Sequence, residues 1–123
     1  MITFNNCKTG DIIIYVYYNE EKDRVLVDTL EIINKVIAHE GSGMNLKTKV
    51  INSQSNGIFS GWEDYFLISE LDMEKDSRML PFSSLILDPT EEKIQHAINL
   101  ITSRRFKSRN IYRRGKRSKT NIL

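Results

Sequence analysis

Arg24-Val25-Leu26-Val27-Asp28-Thr29-Leu30-Glu31-Ile32-Ile33-Asn34-Lys35-Val36-Ile37-Ala38-His39 is the stretch whose period decides the fold. Two readings compete. Val25, Val27, Thr29, Ile32, Ile33, Val36 and Ile37 are β-branched, which favours a strand. Leu26, Leu30, Ile33 and Ile37 fall at i, i+4, i+7 and i+11, which is a helical stripe, and Gly41 follows as a helix stop would. The balance goes to an extended, bent strand interrupted near Asp28. The helical alternative stays open at this point, and it would change the fold class.

Outward from this stretch the apolar runs are short. Ile12 to Tyr18 is seven consecutive β-branched or aromatic residues, a strand without clean alternation and therefore one with cover on both faces. Asn19 to Asp23 is a polar hairpin loop. Beyond the loop His39–Asn45, Leu46–Ile51 reads as a strand. Asn56-Gly57 marks a hairpin turn, and Trp62–Leu71 holds the next strand. Asp72–Arg78 reads as a charged loop, Pro81 biases Leu80 towards extended geometry, and Phe82–Leu87 is a fifth strand.

Asp88-Pro89-Thr90-Glu91 has the pattern of a helix start, with Asp88 as N-cap, Pro89 in the first turn and Glu91 at the third position. Ile94, Ala97, Ile98 and Ile101 make one apolar stripe. The expected architecture is mainly β (α+β): a small five-stranded barrel or bent sheet, then one C-terminal helix over about 89–105, then a basic tail. Residues 1–103 form the domain and 104–123 the tail, which is expected to be flexible without a partner.

Lys8-Thr9-Gly10-Asp11 leading into Ile12–Tyr18, with the spaced strands down to Leu87, resembles the SH3-like small barrels of KOW- and Tudor-type domains. The resemblance covers roughly residues 7–87. It implies a barrel that binds nucleic acid or peptide tails, without assigning either role to particular residues.

Charge is the strongest functional signal. The chain has 123 residues and a net charge of +2. All 16 acidic residues lie between Asp11 and Glu92. Residues 1–103 hold nine Lys/Arg and therefore carry 9 − 16 = −7, whereas residues 104–123 hold the other nine and no acid, +9. Such asymmetry points to an arm that binds a polyanion. The candidate nucleic-acid-binding residues are Arg104, Arg105, Phe106, Lys107, Arg109, Tyr112, Arg113, Arg114, Lys116, Arg117 and Lys119. Closely spaced cations release condensed counterions from phosphates, arginine forks onto phosphate, and Phe106 and Tyr112 offer stacking surfaces. No base-reading motif is visible, so little sequence specificity is expected. The alternative is a protein partner: an acidic body, with Trp62–Phe66 and Asp72–Asp76 at its surface, docking on a basic enzyme. Trp62 and Phe66 are more simply read as core residues, with Glu63 and Asp64 at the edge.

Catalysis is not expected. His39 and His96 lack metal-ligand spacing, Cys7 has no matched histidine, and Gly41-Ser42-Gly43 is not followed by the residues of a phosphate loop. Asp72, Glu74 and Asp76 alternate as in a calcium loop, but Lys75 intrudes and the glycine is missing, so a solvated loop is expected. No cofactor and no metal are anticipated. One cysteine suits a reducing compartment, and no apolar run reaches membrane-spanning length, so a cytoplasmic protein without membrane contact is expected. The Ile- and Asn-rich, Pro-poor composition suits an AT-rich genome such as many phages have.

Overall fold

The computed structural model describes residues 1–37, 42–55 and 61–105. His39, the Asn56-Gly57 turn and the chain from Phe106 onward lie outside the described residues.

The deciding stretch is a strand. β2 (Arg24–Ile37) pairs antiparallel with β1 (Ile12–Asn19) on one side and with β3 (Gly43–Ser53) on the other. Period two wins because Leu26, Asp28, Leu30 and Ile32 all point to one buried face. The apparent helical stripe ends on Ile37, which is 64% exposed. No break occurs at Asp28. The irregularities fall after it, as register shifts against β3 at Thr29/Leu30 and Ile32/Asn34.

β4 (Glu63–Ser69), β5 (Ser77–Leu80) and β6 (Ser83–Leu87) complete a single antiparallel sheet in the order β4-β3-β2-β1-β6-β5. The expectation of five strands is therefore corrected to six. The extra strand is β5, in part of what reads as a charged loop. It forms because Ser77 to Leu80 can pair with Ser83 to Ile86 across the turn at Pro81-Phe82. The sheet curls into a half-barrel, and its concave face carries the main core. Phe4, Ile13, Leu30, Ile32, Met44, Leu46, Ile68, Leu85 and Leu87 are all fully buried there. Phe4 plugs one end, held by backbone bonds from Phe4 N to Lys75 O (3.0 Å) and from Asn5 N to Met73 O (2.7 Å).

The helix α1 (residues 91–105) lies on the convex face. Its stripe of Ile94, Ala97, Ile98 and Ile101 packs on Ile14, Val16 and Ile86, with Tyr18, Val25 and Val27 around them. This explains the unbroken apolar run of β1: Ile13 faces the concave core while Ile14 and Val16 face the helix. The helix begins later than its sequence pattern suggests. Thr90, not Asp88, caps it: Thr90 Oγ1 accepts from Lys93 N at 3.2 Å, and Ile94 N donates to Thr90 O at 3.0 Å. Asp88 instead takes a left-handed turn conformation, with φ of 49°. Among the described residues no helix is long and apolar enough to cross a membrane.

Candidate nucleic-acid interface

Two of the eleven candidate residues, Arg104 and Arg105, are described, and both are tied to the body. Arg105 pairs with Asp23 in the β1–β2 turn, and its guanidinium sits 4.5 Å from the centre of the Tyr18 ring. Tyr18 in turn donates to the same Asp23 oxygen at 2.5 Å. Arg104 donates to Leu80 O at 3.0 Å. The last described turn of α1 is thus clamped to two places on the sheet, the β1–β2 hairpin and the end of β5. Phe106, Lys107, Arg109, Tyr112, Arg113, Arg114, Lys116, Arg117 and Lys119 lie outside the described residues. No local pattern pairs Arg105 with Asp23, which lies 82 residues away in the chain.

The acids of residues 72–76 are also used internally. Asp72 accepts from Lys75 and Ser69, Glu74 from Asn5, and Asp76 from Lys93. Lys75 and Ser69 hold the Asp72 carboxyl below its usual range, the lysine contributing most. His96 is exposed on the helix. Of the two aromatics expected in the core, Phe66 packs against it, but Trp62 is 58% exposed.

Sequence reasoning missed a polar and aromatic layer on the concave face. Pairing register places Arg78 opposite Leu85, Leu85 opposite Tyr15, Tyr15 opposite Asp28, and Asp28 opposite Ser53. Directly opposed residues share a face, so this row runs across five strands on the inner side. Tyr15 stacks on Tyr17 with ring centres 4.8 Å apart, and Phe66 lies 5.1 Å from Tyr15 on the other side. Asp28 is buried and accepts from Tyr17 Oη (3.1 Å) and Ser53 Oγ (2.9 Å), while Ser55 Oγ meets the same tyrosine at 3.0 Å. Buried charge without such donors would be strongly destabilising.

Arg78 joins the two edges of the sheet. From β5 it donates to Leu67 O of β4 at 2.9 Å, and its guanidinium lies 5.5 Å from the centre of the Phe66 ring. Burial lowers the Arg78 pKa from its ordinary value, against the opposing influence of Tyr15 and Asp72. The period-two placement of Tyr15, Tyr17 and Asp28 was available in the sequence. The contribution of Arg78 was not, because it needs β5.

Burial pushes the hydroxyls of Tyr15 and Tyr17 above the ordinary tyrosine value, partly opposed by hydrogen bonds from Ser83 and Ser55 respectively. A raised folded-state value means the folded protein holds these protons more tightly than the unfolded chain. The associated stability is complete below about pH 10, the unfolded value, and is lost as pH rises through the folded values. Urea melts across this range should show stability falling more steeply in the wild type than in Tyr15→Phe. That variant keeps the stacked ring and lacks the titrating group. Equal slopes would remove Tyr15 from the account.

In comparisons with known proteins, no protein-family model, curated protein or solved structure matches the chain.

Proposed function

We propose that this is a non-catalytic nucleic-acid-binding protein whose affinity comes mainly from phosphate contacts of its C-terminal arm, with little sequence specificity. The observation that carries this reading is the charge segregation: +9 in residues 104–123 against −7 in residues 1–103. The clamped helix end supports it further. Arg104 and Arg105 anchor the root on Leu80 and Asp23, and seven Lys/Arg remain between Lys107 and Lys119. The curled sheet is in keeping with the small-barrel resemblance, which belongs to the same proposal. The competing reading, an acidic body that docks on a basic partner, is weakened by the engagement of Asp72, Glu74 and Asp76 within the fold.

The test replaces the seven cations from Lys107 to Lys119 with glutamine in the full chain. Binding to single-stranded DNA, duplex DNA and RNA is then titrated over a salt series. If about six cations reach phosphates, log K against log salt for duplex DNA has a slope of about −5 in the wild type. The variant should lose most of that slope, together with at least about a hundredfold of affinity at low salt. An unchanged slope and affinity would overturn the proposal.

A further inference from the structure

Between α1 and the outer side of β2 runs an open trough of about 650 Å³. Its floor is apolar, made by the partly buried Val27, Ile94 and Ile98. Gln54 forms one wall, held by a bond from Val27 N to its Oε1 at 2.9 Å. A second depression shares Gln54 and continues past Val25 to Arg24. The two ends differ in charge. At the far end stand Glu91 and Glu92, both exposed. Among the described residues neither carboxylate has a hydrogen-bond or ion-pair partner. At the near end Arg24 adjoins Asp23, to which Arg105 is clamped. The chain from Phe106 onward therefore starts at the head of the trough. Residues 91–105 of α1 span about 21 Å at 1.5 Å per residue. An extended chain covers that distance in about six residues, and about two or three more reverse its direction. Counted from Arg105, this brings Arg113 and Arg114 to Glu91 and Glu92, with Ile111 and Tyr112 just behind them over the apolar floor.

We infer that the basic arm doubles back into this trough when no polyanion is bound, and that nucleic acid must displace it. Ile111 and Tyr112 lie on Val27, Ile94 and Ile98, and Arg113 and Arg114 meet Glu91 and Glu92. The inference rests on the nucleic-acid reading above and adds a regulation to it: the body competes with phosphate for two of the arm's cations. A depression beside Ile37, lined by Glu70 and Glu74, also combines acids with apolar side chains. It lies at the opposite end of β2 from Arg24, and closing the longer loop costs more entropy. Surface pairs of guanidinium and carboxylate are weak and sensitive to salt. The contact therefore holds the arm only until a phosphate chain, which engages many of its cations at once, takes over. Apparent affinity for nucleic acid is lowered to the fraction of molecules whose arm is released.

The experiment uses full-length protein and looks for nuclear Overhauser contacts between the Tyr112 ring and the methyl groups of Val27 and Ile98. The contacts should be present at low salt, fade as salt is raised, and vanish when a short oligothymidylate saturates the arm. If the strand binds and the contacts are absent even at low salt without it, the inference is overturned and the arm proposal stands. If the contacts survive in the strand complex, the competition is overturned. Glu91→Gln with Glu92→Gln should raise oligothymidylate affinity at low salt about fivefold more than Glu70→Gln with Glu74→Gln. The second pair removes the same charge from the opposite end of β2. Equal gains would reflect net charge alone and overturn docking at Glu91 and Glu92. If neither DNA nor RNA binds, the nucleic-acid reading falls and the competition with it, whereas contacts from Tyr112 to the trough still establish that the arm docks there.

Discussion

Gly43→Ala should destabilise the protein by about 3 kcal/mol or more, the sum of two separate costs. The first is conformational. Gly43 opens β3 with φ of 127°, where a residue with a Cβ is strained by about 1–3 kcal/mol. The second is steric. A Cβ there would overlap the Ile68 carbonyl oxygen and come within 3.0 Å of the Ile68 carbonyl carbon and the Ser69 Cα. These are backbone atoms of β4, which pairs with β3 through Gly43↔Ser69 and Met44↔Ile68. Relief requires the strands to separate, and such overpacking typically costs about 1–3 kcal/mol. In a domain of this size the loss corresponds to roughly 15 °C in melting temperature. Gly10→Ala is the control. Its φ is 97°, yet nothing lies within 4 Å of an added Cβ. It should therefore show the conformational cost alone. Thermal and urea melts of the two variants separate the effects. Equal losses would mean that the contact with β4 is relieved without cost.

Why the sheet was legible and the inner layer only partly so follows from the residues themselves. β-branched density marked β1, β2 and β3, because packing on a pleated surface selects such side chains. Asp28 looked like an interruption since a carboxylate in an apolar run resembles a turn. Its Oδ1 accepts from Tyr17 and Ser53, the second of them 25 residues away, and no local pattern encodes that. β5 was hidden for a related reason. Ser77-Arg78-Met79-Leu80 has little strand character of its own and is held by its hairpin partner. With β5 unrecognised, Arg78 could not be placed beside Phe66 and Leu67. The helix start was misplaced because Asp88-Pro89-Thr90-Glu91 fits a capping pattern headed by Asp88. The left-handed Asp88 moves the cap to Thr90. The arm was evident throughout, because a run of like charge needs no tertiary information to be seen.

Ile101→Ala should cost about 2–4 kcal/mol and should also alter how the arm is held. Ile101 is fully buried in the cluster of Ile14, Val16, Ile86 and Ala97 between α1 and the convex face. Removing a buried branched side chain loses its transfer free energy and leaves a cavity, which together account for this range. The position lies one turn before Arg104 and Arg105, whose bonds to Leu80 and Asp23 are surface contacts. Pairs of that kind contribute little by themselves, so the apolar anchor at Ile101 does most of the work of fixing the helix end. The loss should therefore appear locally before it appears globally. Amide exchange in residues 98–105 should accelerate in the variant by more than exchange in β1 and β2. Ile98→Ala, at a partly buried site on the same stripe, should cost less and leave the exchange of residues 102–105 closer to wild type. If both variants accelerate exchange at 102–105 equally, Ile101 is not the anchor. If Ile101→Ala loosens these residues while the salt slope of nucleic-acid binding is unchanged, the arm's affinity depends on its charge and not on how its root is held. A steeper slope would show that releasing Arg104 and Arg105 from Leu80 and Asp23 gives the phosphates two further cations.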